Sequence, residues 1–221
     1  MMGQWDRPPA GLPAARIIEE WLPRAFATTA RRPPPDSPVV RATLSGSEGG
    51  DWHLQAGEDG LLVEPRAPGR LPEEDEPHIW LRQSAPDFEA IFHVDPDLPE
   101  LLPDGIGVVE LLCLEGNTLD LVHQLDGRIR VEIDGRRRRR WSLDVAFGQA
   151  GRRAGQPRST VRIDSGTCER LASGELAPLQ ALLSGRLALQ GDRTLVMQVL
   201  MAFAGKIGRR SSGPPTSAPR P

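Results

Sequence analysis

The sequence predicts an α+β fold arranged as two similar halves, each a mostly antiparallel sheet covered by helices. Three observations predict it. Short segments alternate apolar and polar side chains, the period of a half-buried strand: Val40, Ala42 and Leu44 against Arg41 and Thr43, then Ile129, Val131 and Ile133 against Arg130 and Glu132. Other stretches repeat apolar residues at helical spacing, as do Ile17, Ile18, Trp21, Leu22 and Ala25. The pattern then restarts. Val40 and Ile129 stand 89 residues apart (129 − 40), as do Trp52 and Trp141 (141 − 52). Leu81/Val161, Gln83/Ile163 and Ile91/Leu171 share an offset of 80; Leu112/Leu187 and Leu114/Leu189 share 75; Thr118/Thr194 has 76. A repeat this long points to two similar domains, since solenoid units run only roughly 20–50 residues.

In chain order, residues 1–13 are rich in Pro and Gly and predict a disordered lead-in. Helical spacing follows over 14–27, with Pro23 predicting a kink or a two-part helix. Strands are expected at 40–44, from Trp52, at 61–63 and at 79–83. Ser84 is a predicted N-cap, with Pro86 in the first turn of a helix carrying Phe88, Ile91 and Phe92. The apolar run 108–114 is expected as a strand and 118–124 as a helix. The second half repeats the hairpin at 127–147, with Asp134-Gly135 as a turn signal and five arginines, Arg136, Arg137, Arg138, Arg139 and Arg140, at its tip. Val161 and Ile163 lead into 165–205, which ends in a stretch apolar on every side except at Gln198. Eleven helical residues rise only ~16 Å, against ~30 Å of bilayer hydrocarbon, so that helix is no membrane span. Its surplus apolar surface needs another protein surface, a membrane interface or an apolar ligand. The domains expected are 14–122 and 123–207, with a disordered tail at 208–221.

Composition narrows the function. A net charge of −3 and the absence of Tyr argue against nucleic acid as a partner. Cys113 and Cys168 form no metal-binding or redox spacing and read as buried free thiols. With no secretory signal in view, a cytoplasmic location is the simplest expectation. His53, His78, His93 and His123 are dispersed, His53 reading as a solvated strand residue, and the acidic run 73–76 as a solvated loop. No catalytic constellation, metal set or cofactor motif emerges, so no enzyme activity and no cofactor are expected. The arginine run reads first as a solvated turn and second as a contact for anionic membrane surfaces, where clustered basic residues gain about 1 kcal/mol each.

Residues 171–195, LASGELAPLQALLSGRLALQGDRTL, carry the most specific motif. Pro178 suits the first turn of a helix, Leu179, Leu182 and Leu183 give it an apolar face, and Gly185 suits its end. Leu187 and Leu189 share one side of the next strand, Gly191-Asp192 turns the chain, and Thr194 is a candidate cap for the last helix. With the order of elements around it, this stretch resembles the sterol carrier protein-2 (sterol-binding) domain family over about 127–205. The family's pattern has a Ser-Gly-Glu-Leu-x-Pro turn, a short helix and a Gly-(Arg/Lys)-Leu-x-Leu-x-Gly-Asp strand. The first half resembles it more weakly, and 95–107 lacks the Ser-Gly-Glu-Leu motif, so two tandem sterol-carrier-like domains are expected with the first degenerate.

The resemblance implies non-catalytic binding or transfer of a lipid-like ligand, a sterol, fatty acyl chain or isoprenoid. The expected wall, in a hydrophobic cavity under the C-terminal helix, is Val161, Ile163, Leu182, Leu183, Leu187, Met197, Met201 and Phe203. The alternative is a structural or interaction module, or an accessory subunit of a lipid-modifying enzyme, with no cavity of its own.

Overall fold

The computed structural model describes residues 7–28, 33–34, 36–66, 78–100, 111–114, 116–148 and 158–207, with side chains through 202. Helix α1 (14–27) opens the fold. Pro23 has no N–H to donate, and the helix absorbs it through a π-helical turn, Ile17–Trp21, before continuing as Leu22–Ala27. Strands β1 (Val40–Ser45), β2 (Gly50–Gly57), β3 (Gly60–Pro65) and β4 (Ile79–Ser84) follow, then α2 (Ala85–Phe92) and α3 (Gly116–Gln124). The second half adds β5 (Gly127–Asp134), β6 (Arg140–Phe147), β7 (Ser159–Asp164), α4 (Ser165–Ala172), α5 (Pro178–Leu183), β8 (Ala188–Gly191) and α6 (Arg193–Ile207).

The eight strands of the described residues join one mixed sheet in the order β3-β2-β1-β4-β6-β5-β7-β8. Where the sequence leads one to expect a sheet for each half, the two halves share one. They meet at β4 and β6, antiparallel, with Ile79 opposite Phe147 and Arg82 opposite Asp144. Each half keeps a hairpin plus a parallel strand: β1 pairs β4, and β5 pairs β7.

The repeat is visible in those parallel pairs. Ala42 faces Leu81 in the first half, and Val131 faces Val161 in the second, as offsets of 89 and 80 require. Helices α2 and α4 begin and end 80 residues apart. Ser84 caps α2 by accepting from the Asp87 N–H, and Asp164 caps α4 by accepting from the Thr167 N–H. The hairpins depart from the gapless match. Trp52 lies opposite Ala42, whereas Trp141 lies opposite Ile133 rather than Val131. A slip of two residues keeps each side chain on its face, so alternation alone does not detect it.

Side chains on one face of the sheet form the core. Helix α1, α3 and residues 112–114 cover the first half, with Ile18, Leu22, Val122 and Leu114 packed on Val40, Trp52 and Ile79. Residues 111–112 are helical rather than part of a strand. A short apolar run fits a buried strand or a buried helix equally well, and tertiary packing decides. Trp52 and Trp141 are both buried, their indole N–H groups donating to Glu19 Oε1 at 2.8 Å and to the Asp87 carbonyl at 2.7 Å. Cys113 and Cys168 are buried, and neither is in a disulfide. His53 is buried beside Arg66 rather than solvated, and burial holds its pKa below the usual histidine value.

Candidate functional site

The second apolar cluster is built by the motif stretch. Asp164 starts α4, accepting from the Thr167 N–H at 2.9 Å and its hydroxyl at 2.7 Å; the hydroxyl bond is the leading cause of its lowered pKa. The Ser-Gly-Glu-Leu turn then folds back: Gly174 takes φ +76°, and the Leu176 N–H donates to the Arg170 carbonyl at 3.0 Å, burying Leu176. Pro178 sits in the first turn of α5. The helix closes on Gly185 at φ +72°, with Arg186 N–H bonded to Ala181 O at 2.9 Å and Gly185 N–H to Leu182 O at 3.1 Å, a Schellman arrangement. Leu187 is thereby turned into the core.

Asp192, not Thr194, caps α6. Its carboxylate accepts from the Thr194 and Leu195 N–H groups at 2.9 and 3.2 Å and pairs with Arg158 at 2.6 Å. The Leu195 N–H bond is the largest cause of its lowered pKa. A carboxylate at a helix N-terminus also meets the positive end of the dipole, which a hydroxyl does not exploit.

These caps set α5 and α6 over the sheet. Ile129, Val161, Leu176, Ala181, Leu187, Leu195 and Val196 are buried together, with Val131, Ile163, Leu182, Leu189 and Leu200 packed against them. A Cβ at Gly127 would stand 2.6 Å from Leu195 Cδ2, so the leucine side chain would have to shift to admit one. Val199 touches this cluster and that of the first half, and α3 packs on α6. The last helix therefore covers both its own sheet and the seam.

Of the residues expected to line a cavity, Val161, Ile163, Leu182 and Leu187 share this cluster. Met197 is half-buried, Leu183 is 78% exposed and Met201 61% exposed. The Phe203 side chain lies outside the described residues, as does the acidic run 73–76. Sequence reasoning missed Leu176, Ala181, Leu195 and Val196. For Leu195 and Val196 the helical spacing of 195–199 was the available signal. Apolar side chains on α5 and α6 thus divide into a buried set and an exposed remainder.

The arginine tip forms a short 3₁₀ turn, Arg136–Arg138. Arg139 pairs with Asp87 at 2.7 Å and Asp95 at 3.2 Å, Arg140 with Asp134 at 2.8 Å, and Arg137 lies 3.8 Å from Asp97. Among the described residues, Arg136 and Arg138 have no carboxylate partner. No group of three or more metal-binding side chains occurs among the described residues, and no helix there is long and apolar enough to cross a membrane.

Residues 109–204 match the SCP-2 sterol transfer family, a span that takes in α3, the second half of the sheet and most of α6. That match supports lipid binding or transfer in general terms. Similar solved structures include the solution structure of sterol carrier protein domain 2 of Helicoverpa armigera, 19% identical over 42% of this chain and 78% of that one, with a TM-score of 0.32. Sterol carrier protein 2 like 2 from Aedes aegypti is 21% identical over 35% of this chain and 73% of its own, TM-score 0.27. The apo form of sterol carrier protein 2 from Yarrowia lipolytica is 15% identical over 41% and 73%, TM-score 0.28. No curated protein matches the sequence.

Proposed function

We propose that this protein binds, and hands on, a lipid-like apolar molecule without catalysing a reaction on it. The ligand class is sterol, fatty acyl chain or isoprenoid, held under α6 in the second half and reached between α5 and α6. The observation that carries the reading is the match of 109–204 to the SCP-2 sterol transfer family. The exposed remainder of the apolar helices, Leu183 and Met201, supports it. Apolar burial would supply affinity at roughly 25 cal/mol per Å². In this reading Val161, Ile163, Leu182 and Leu187 form the floor, and Leu183, Met197, Met201 and Phe203 close over the ligand. The chain is a pair of tandem sterol-carrier-like copies whose first copy no longer carries the motif turn, and it works in the cytoplasm.

The test is titration of a fluorescent fatty acid into the full chain. Saturable uptake, displaced by unlabelled fatty acid or sterol, is expected. Uptake that is absent or undisplaced contradicts the reading. The packing of Val199 on both clusters favours a second reading, in which α6 seals the seam and the protein is an interaction module or accessory subunit.

A further inference from the structure

Two histidines far apart in the chain meet where the end of α3 lies over the start of β4. The rings of His78 and His123 stand 4.4 Å apart between centroids, tilted by 41°. His78 is fixed from the strand side. Its backbone N–H donates to the Val39 carbonyl at 2.9 Å, and its ring Nδ1 accepts from the Val39 N–H at 3.1 Å. A ring nitrogen that accepts carries no hydrogen, so neutral His78 holds its proton on Nε2. His123 is exposed in the last turn of α3, where the helix dipole favours a cation.

No acid offsets the pair. On the strand side the neighbours, Val39 and Ile79, carry no charge. Among the described residues no carboxylate lies within ion-pair distance of either ring, Asp120 on α3 and Asp126 just beyond it included. Burial first, and then His123, holds the His78 pKa below the ordinary histidine value. Acidification therefore acts in two steps. The exposed His123 takes the first proton, which leaves the Val39 bond intact. The second goes to His78 Nδ1. It sets two cations about 4.4 Å apart and takes the acceptor from the Val39 N–H.

We propose that the His78–His123 pair is an acid-sensitive latch, which holds the end of α3 on the sheet while His78 is neutral and opens when both rings are protonated. Helix α3 buries Leu119 and Val122 in the first apolar cluster and packs on α6. Opening the latch withdraws that support from the helix over the second cluster. Acid then speeds exchange of the ligand under α6, a consequence that rests on the lipid-binding reading. The latch itself needs only the two rings and the Val39 bond.

The experiment follows the full chain by NMR between about pH 7.5 and 5, reading both imidazoles and the hydrogen-exchange protection of backbone amides. His78 should show the Nε2–H tautomer at the upper pH and titrate below 6.5. Protection of residues 119–124 should fall about tenfold or more, while that of α2 changes less than about twofold. His123→Gln, at an exposed position, should raise the His78 titration toward 6.5 and abolish most of the loss in α3. His93→Gln, which removes a histidine outside the pair, should leave that loss unchanged. Protection of α3 that does not respond to pH overturns the latch, as does a loss that persists in His123→Gln or vanishes equally in His93→Gln. Uptake of a fluorescent fatty acid by the same samples separates the two readings. An α3 that loosens in a protein taking up no fatty acid keeps the latch and removes the lipid. Uptake at the upper pH with α3 unmoved at the lower keeps the lipid and removes the latch.

Discussion

Cutting the chain at the start of the family match should leave a fragment that does not fold alone. Residues 109–207 contain β5 to β8 but lack β4, so the edge of β6 is stripped. Four registered residue pairs are lost, from Ile79↔Phe147 to Arg82↔Asp144. About four backbone hydrogen bonds at ~1 kcal/mol each disappear with them. Phe147 and Ala146, both about 2% exposed in the whole protein, are opened to solvent. Uncovering a phenylalanine costs roughly 2 kcal/mol. The Trp141 N–H also loses the Asp87 carbonyl, and Arg139 loses the Asp87 carboxylate. The total, about 6–8 kcal/mol, compares with a whole-domain stability of about 5–15 kcal/mol. Urea unfolding and NMR dispersion of 109–207 beside the full chain make the test. A collapsed or aggregated fragment is expected, because an open β6 edge invites strand pairing. A monomeric fragment with dispersed resonances and a urea midpoint equal to the full chain's would refute the reasoning.

Other predictions follow from single side chains. Leu195→Ala removes a buried leucine over Gly127 and should cost about 2–5 kcal/mol in urea unfolding; a loss under about 1 kcal/mol would mean the contact is not made. Met201→Trp adds bulk at a 61% exposed position, so stability should hold within about 0.5 kcal/mol while fatty-acid uptake falls; unchanged uptake removes Met201 from the wall. His78 has its pKa lowered by burial first and then by His123, and its Nδ1 accepts from the Val39 N–H at 3.1 Å. Its stabilising share is therefore full above the unfolded value of 6.5 and is lost as pH falls through the lower folded value. His78→Asn should flatten the melting profile in that window, and an unaltered profile would assign the slope elsewhere. Arg136→Gln with Arg138→Gln should weaken partitioning to anionic vesicles at low salt by about 2 kcal/mol, roughly thirtyfold; equal partitioning would remove the tip from any membrane contact.

Much of the fold was legible because its signals are local. Ser84 as a cap, Pro178 at a first turn and Gly185 at a helix end each depend on a few neighbouring residues. The offset of 80 between β4–α2 and β7–α4 survives because a strand feeding a capped helix is one continuous local unit. The shared sheet was not legible. The β4–β6 pairing joins residues from opposite halves, and alternation states only which face a residue takes, not which strand lies beside it. The same blindness hid the two-residue slip of the second hairpin and the approach of His123 to His78. At the candidate site, the strand residues Val161 and Ile163 were readable from period two. The helical positions were less so, because a helix apolar on nearly all sides does not announce which face it buries. Hence Met201 was expected in the wall and stands 61% exposed.

Native mass spectrometry of the full chain, purified without detergent or organic solvent, tests the central claim most directly. The account predicts a fraction of the protein carrying one bound lipid, released on activation, with a mass in the range of a sterol, fatty acid or isoprenoid. That fraction should fall in Met201→Trp. A protein that is ligand-free and takes up none of these lipids when they are added would contradict it.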